Sequence, residues 1–190
     1  MKKETKWSID QSHSTIEFKV RHLMIAHVKG NFKTFEASIY TFEKDFSSVE
    51  IDLWIDVNSI DTGDENRDTH LKSIDFFDVE HYQQITFIAS TMVSPNEDNN
   101  YELWGELTIK GITQNVKFNV EFGGIITDPW GNEKAGLTLS SIINRVDFGL
   151  TWNASIESGG FMVSDEVKIS CEIEVTNLTN QTSKMVLETT

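Results

Sequence analysis

Residues 14–22 read STIEFKVRH, and this stretch decides the fold class. Ser14, Ile16, Phe18, Val20 and His22 fall on one side of an extended chain, with Thr15, Glu17, Lys19 and Arg21 on the other. Side chains of a strand point alternately to opposite faces, so a period of two marks a half-buried strand. VEIDLWIDV (49–57) sets Val49, Ile51, Leu53, Ile55 and Val57 against Glu50, Asp52, Trp54 and Asp56, and VKISCEIEV (167–175) behaves likewise. Segments 35–41, 85–93, 101–109, 116–122 and 135–143 alternate with lower contrast. In 85–93 the apolar face would be Ile85, Phe87, Ala89, Thr91 and Val93, with Ile88 and Met92 outward.

The apolar faces of these segments carry no Asp, Glu, Lys or Arg, whereas the opposite faces are rich in them. Burying an unpaired charge is prohibitively costly, so one face of every strand is predicted to be sealed from water. Short turn-rich connections such as PNEDNN (95–100) and KGITQ (110–114) point to an antiparallel sheet. An eight-stranded sheet closed on itself fits best, and a two-sheet sandwich has the same alternation. Two connections are long. In 58–83, Asp64 is positioned to cap a short helix over about 65–73, in the part of the connection around 64–73. The other, 144–165, contains RVDFGLTWN and is too aromatic for a plain linker. No domain boundary is visible, so 1–176 reads as a single domain followed by a polar tail at 177–190.

The chain has 190 residues, with 16 Lys plus Arg against 30 Asp plus Glu, and a formal charge of −14. Such a balance argues against nucleic acid, which needs clustered cations, and against an anionic membrane surface. Cys171 is the lone cysteine, which excludes an internal disulfide. No stretch is apolar for long enough to span a membrane, and MKKETKWSID lacks a signal-like core. The expected location is cytoplasmic, or periplasmic if the chain is a trimmed mature form.

Chemistry is sparse. His13, His22, His27, His70 and His81 show no familiar metal spacing, so no metal is expected. No GxSxG elbow occurs, and Cys171 on an apolar face is expected to be inert. A barrel of eight strands is just wide enough to be packed solid or to hold one small ligand. Small inward residues (Ser14, Ala37, Ala89, Gly105, Ala135, Ser141) would leave volume, or would interdigitate with large ones in a filled core. If a cavity exists, its charge-free wall selects an apolar guest. The expected lining is Phe18, Val20, His22, Phe35, Ile51, Leu53, Phe87, Leu103, Phe118, Leu139 and Ile169.

Several motifs occur together in order. WSIDQSHSTIEFKVRH (7–22) is followed by GNF (30–32), then DTGDENRDTHLKSIDFFDVEHY (61–82) and GELTIKGIT (105–113). DPWGNEKAG (128–136) and RVDFGLTWN (145–153) complete the set, which resembles the YceI-like, polyisoprenoid-binding family. The resemblance implies an extended, lipocalin-like barrel with a lipid tail in its pore: a polyisoprenoid, an isoprenoid quinone or a fatty-acid-like chain. It implies binding, transport or storage without catalysis and without another cofactor, and often a homodimer. Asp61, Thr62, Asn66, Arg67, Asp68, His70 and Leu71 in the second motif would fix the helix-bearing connection, or gate the pore. Arg67, His70 and Arg145 are the candidates for head-group contact, with a local Arg145–Asp147 pair as the alternative for Arg145.

A tail withdrawing ~400 Å² from water gains roughly 10 kcal/mol before ordering costs. Those costs bring the expected affinity to about micromolar or below, with broad selectivity for tail length. Outward Tyr40, Trp54, Ile88, Met92 and Trp104 would form an apolar patch suited to a homodimer. The alternatives in other classes are an enzyme or stress-response factor acting on a pore-bound isoprenoid or quinone through His22 or His70, and an interaction module with a solid barrel.

Overall fold

Strand alternation along the chain becomes one antiparallel sheet in a computed structural model that describes residues 4–93, 100–157 and 159–179. Its strands are β1 (Glu4–Ile9), β2 (Thr15–His22), β3 (Ala26–Phe32), β4 (Phe35–Phe42), β5 (Asp45–Asp56) and β6 (Ile60–Asp61). They continue with β7 (Gln84–Val93), β8 (Asn100–Ile109), β9 (Ile112–Thr127), β10 (Glu133–Asn144) and β11 (Val163–Asn177). Among the described residues the α-helix α1 (Glu65–Lys72) lies between β6 and β7. Neighbours run β1-β4-β5-β7-β8-β9-β10-β11, and β11 pairs back onto β1, which closes an eight-stranded barrel. β2, β3 and β6 extend from β11 as a branch. The connection expected at 95–100 lies largely outside the described residues.

Each of the eight expected segments is a strand, but the ring closes through β1, where the sequence reading had placed β2. The reason lies in β11, which is 15 residues long. Its stretch from Val163 to Glu172 pairs with β2, and its end, Val175–Asn177, pairs with β1. A 3-10 turn at Gln11–His13, capped by Asp10, bends the chain so that β1 and β2 follow each other along one neighbour. Between them Ser14 stands in for a ladder partner: the Glu174 N–H donates to its Oγ at 2.9 Å, and the hydroxyl donates to the Glu174 carbonyl at 3.3 Å. Ser14 therefore patches backbone rather than leaving space.

Burial is deepest where the ring closes. Trp7 is fully buried, donates Nε1–H to Thr41 Oγ1 at 2.9 Å, and packs on Phe46 with centroids 5.2 Å apart. Asn177 is buried and donates to Glu133, while Leu178 and Thr179 hydrogen-bond to the backbone of Lys6. The domain thus continues past the expected boundary at 176, because β1 recruits the following residues; 180–190 lie outside the described residues. On the outside of the same corner Lys134 Nζ lies 3.0 Å from Asp10 Oδ2 and 2.5 Å from Glu174 Oε1.

Two local features alter the facing of side chains. Register shifts between Ala89 and Thr91 in the β7–β8 pairing, a bulge that reverses the faces beyond it. Met92 is consequently buried and Val93 exposed, the opposite of strict alternation. The second feature is Gly105, where a Cβ would stand 2.6 Å from the Ile88 carbonyl oxygen and 2.6 Å from the Phe87 ring. The Phe87 ring covers the glycine, so the missing side chain is filled and leaves no volume.

Helix α1 matches the expected span, one residue shorter at its end. The Asp64 carboxylate accepts from the Arg67 N–H at 3.0 Å, and Glu65 and Asp68 occupy the positive first turn. No residue of α1 is fully buried, so its own side chains anchor it. Asp68 accepts from both the N–H and the hydroxyl of Thr62, and Arg67 donates to the Thr62 hydroxyl and carbonyl.

Two stability predictions follow from this packing. Gly105→Ala should lower unfolding stability by about 1–3 kcal/mol in urea titrations, because backbone and ring must both shift. Hydrogen bonds from Ser12 and His13, and the Lys134 ammonium, hold the Asp10 carboxyl well below the usual carboxylate range. A depressed folded-state value stabilises above the unfolded value of about 3.9 and is lost as pH falls toward the folded one. Asp10→Asn should therefore lower the urea midpoint at neutral pH, with the deficit shrinking steadily in acid.

Candidate functional site

The inward faces enclose a cavity of about 220 Å³ whose wall presents no polar surface. Every strand of the ring except β1's first residues contributes apolar side chains, and Ile9 at the end of β1 joins them. Phe18, Val20, Ile51, Leu53, Phe87, Leu103, Phe118, Leu139 and Ile169, expected from alternation, all line it. Of the small inward residues, Ala37 alone is part of the wall. Ser141 spends its hydroxyl on the Lys117 carbonyl at 2.7 Å.

Shape follows from β5. Phe46, Val49, Ile51, Leu53 and Ile55 all line the cavity along this one strand. At about 3.3 Å per residue, the run covers roughly 30 Å of strand, or about 23 Å along the axis at the usual tilt of ~40°. A narrow lumen of that length suits a chain better than a compact ring system.

Two expected lining residues lie elsewhere. Phe35 is buried at the first position of β4, opposite Ile55, and packs in the core beyond the lumen. His22 ends β2, paired with Ala26 and Val163, and is half-exposed at the hairpin end. Conversely, the wall includes residues that alternation did not reveal. Met92 enters through the β7 bulge, and Leu71, Phe76, Phe77 and Leu150 come from the two long connections. A signal for them existed in SIDFFDV (73–79), where adjacent phenylalanines interrupt an otherwise polar connection.

These connections meet over one end of the barrel. The Phe77 N–H donates to the Leu71 carbonyl at 3.0 Å, and its ring lies 6.2 Å from that of Phe32. Phe76, His70 and Trp152 form a triangle with centroids 4.8–5.2 Å apart. His70 Nε2 also lies 3.0 Å from Asp75 Oδ2. His70 and Arg67 therefore share the helix-bearing connection but do not line the cavity.

Arg145 has a different task from the one expected. It is buried beneath the second connection, and burial lowers its pKa against the opposing effect of Asp165. Nε donates to the Ser164 carbonyl, Nη1 to those of Leu150 (2.5 Å) and Trp152 (2.9 Å), and Nη2 to that of Val163 and to Asp165 Oδ1 (3.2 Å). All five guanidinium hydrogens are used. Arg145 ties the loop to β11, and its partner is Asp165 rather than Asp147. It is not placed to receive an anionic head group.

Cys171 also lines the cavity, and burial pushes its thiol up to about 12, reinforced by Glu172 and Glu17. Asp10, His13 and Glu174 place three ligand-type atoms within 4.8 Å of one another on the outer corner. The Lys134 ammonium occupies the space between Asp10 and Glu174, so the cluster is an ion-pair network. No helix among the described residues is long and apolar enough to cross a membrane.

An antiparallel barrel closed around a carbon-walled lumen is a lipocalin-like architecture. The chain belongs to the YceI-like domain family, whose model matches residues 7–175. A UPF0312 protein of Staphylococcus epidermidis is 39% identical over 171 residues, covering 90% of this chain and 96% of the relative. A Staphylococcus aureus UPF0312 protein is 36% identical over the same length and coverage. Among solved structures, Burkholderia cenocepacia BcnA superposes with a TM-score of 0.75 at 25% identity, covering 87% of this chain and 98% of BcnA. The Campylobacter jejuni YceI protein gives 0.70 at 31% identity, with 82% and 88% covered. A polyisoprenoid binding domain from Saccharophagus degradans, implicated in plant cell wall breakdown, gives 0.63 at 16% identity, with 90% and 98% covered, and shares the fold.

Replacing Arg145 with Ala strands several buried carbonyls at a cost of about 3–5 kcal/mol. Urea unfolding should report that loss, while affinities for pyrophosphate-headed and neutral lipids fall together. Cys171 should resist a charged thiol reagent at pH 8 until the protein is unfolded, when its reaction becomes rapid.

Proposed function

We propose that the protein binds a long apolar lipid in its barrel, for carriage or storage and without catalysis. A polyisoprenoid, an isoprenoid quinone or a fatty-acyl-like chain satisfies the chemistry. The observation that carries the reading is a lumen with no polar surface running along β5 from Phe46 to Ile55. Any polar part of a guest would lose its hydrogen bonds against such a wall. The tail therefore lies inside and the head outside. Membership of the YceI-like family supports the reading, and the same fold occurs in the domain described as polyisoprenoid binding.

Within this reading the head group lies beside α1, near Arg67 and His70. Arg67 commits Nε and one Nη2 hydrogen to Thr62, leaving further guanidinium hydrogens for an anion. His22 stands away from the wall, so an acid–base role for it on a lumen-bound guest has no geometric support. A second copy of the chain is proposed to cover the outer face of β4, β5, β7 and β8, where Tyr40, Trp54, Ile88 and Trp104 lie on adjacent strands. Met92 leaves that group, because the bulge buries it.

Organic extraction of the purified protein followed by mass spectrometry should release an intact lipid with a long hydrocarbon tail. Ala37→Phe places a ring into the lumen from a position that already faces it. Binding of a fluorescent polyprenyl or acyl probe should weaken by about tenfold or more, since overfilling a packed interior is costly. Retained affinity in a correctly folded Ala37→Phe protein would rule out the lumen as the binding site. Arg67→Ala should weaken a pyrophosphate-headed lipid more than a neutral one. For the dimer, sedimentation should give twice the chain mass, and Trp54→Glu should reduce it to one.

A further inference from the structure

The outer face of β2, β3 and β11 breaks a rule of sheet design. Lys19 stands directly across from Lys29 on β3 and from Lys168 on β11, so three ammonium groups lie abreast on adjacent strands. Directly opposed like charges destabilise a sheet. Two residues nearer the hairpin, on the same face, Arg21 opposes His27. No ion pair or hydrogen bond joins the side chains of Lys19, Arg21, Lys29 or Lys168 to another described residue, and Arg21 donates only its backbone N–H, to Ser164 Oγ. Glu17 and Glu166 flank the row without pairing to it. The field is felt locally: partial desolvation first, then the charges of Lys19, Arg21, Lys168 and Lys29, hold the His27 imidazole below its ordinary value.

The tip of the same hairpin is apolar and strained. Leu23 and Met24 adopt φ of 50° and 60°, a region that costs energy for side chains of this kind. The turn projects Met24, 56% exposed, and Ile25, 87% exposed. Leu23 N–H donates to the Met162 carbonyl at 2.8 Å, which brings the neighbouring, exposed Phe161 to the same end. An apolar tip backed by a row of uncompensated cations is the arrangement of an interfacial anchor, with apolar groups entering the acyl boundary and cations meeting phosphates.

We propose that this end of the barrel docks on an anionic lipid bilayer, with Met24, Ile25 and Phe161 entering the interface and Lys19, Arg21, Lys29 and Lys168 contacting lipid phosphates. The formal charge of −14, which at the level of composition argued against an anionic surface, does not oppose this. Charges beyond about 8 Å are largely screened at physiological ionic strength, so the local patch decides the contact. Docking would also set the lumen close to the source of a lipid, since Val20 and Val163 in these same strands belong to its wall. The surface stands on residues outside the cavity. An empty barrel should dock as well as a filled one, and failure of either idea leaves the other intact.

The test is co-sedimentation of the full chain with sucrose-loaded vesicles of phosphatidylcholine, alone or mixed with phosphatidylglycerol. Binding should require phosphatidylglycerol and weaken as salt is raised. The double variant Lys19→Glu, Lys168→Glu should weaken it by about tenfold or more, and Ile25→Asp should weaken it at low and high salt alike. Ile25 is so exposed that its replacement leaves folding intact, so it decides the matter should the lysine reversals unfold the chain. Absence of sedimentation with phosphatidylglycerol vesicles overturns the proposal, including when the patch prefers a soluble acidic protein. Equal binding to both vesicle types, or binding unchanged by Ile25→Asp, overturns it too.

Discussion

β11 must serve two partners, and the barrel depends on its doing so. Had the strand ended after its pairing with β2, the edge of β1, which already covers β4, would lie open, and the apolar faces of the ring would meet water at the seam. Continuation to Asn177 lets β1 bridge β11 and β4, with Trp7 filling the space behind the bridge. An open sheet edge and a wetted apolar interior are both costly. The hydrogen bonds of the seam therefore protect a burial energy much larger than their own. Ser14, substituting for the ladder at the bend, is a small component of this closure with a large structural duty.

Closure is also what turns a sheet into a container. Alternating side chains must converge once the ring is complete, and the interior is either packed or left partly empty. Here most inward groups pack, and a thread of space remains between them, bounded at one end by Leu71, Phe76, Phe77 and Leu150. The groups holding this cover are polar. Arg67 and Asp68 fasten Thr62, and Arg145 gathers the carbonyls of the other connection. Arg145 meets the lumen wall, yet its guanidinium is spent on the surrounding chain, and the wall presents no polar surface.

Much of this was legible from the residues alone. Strict alternation located eight strands and most of the wall, because a period of two leaves little choice once charges are barred from one face. Asp64 announced α1, since a carboxylate before a polar run with acidic first-turn residues satisfies the exposed amides. Legibility failed where a backbone event resets the pattern. The β7 bulge moved Met92 inward and Val93 outward, and nothing in TMV distinguishes it from an unbroken strand. Arg145 was misread because its carbonyl partners are backbone atoms, which leave no mark in a sequence. The cationic row was invisible for a related reason: Lys19, Lys29 and Lys168 become neighbours through register, while composition registers only their dilution among carboxylates.

The glycines beneath aromatic rings bear on how the tube behaves. Phe87 lies over Gly105, and Phe18 lies over Gly30, where a Cβ would come within 2.4 Å of the ring. At both places the local bore is set by a hinged phenyl group instead of by the main chain. Calibre at these places then depends on phenyl torsions, which can turn while every strand stays in register.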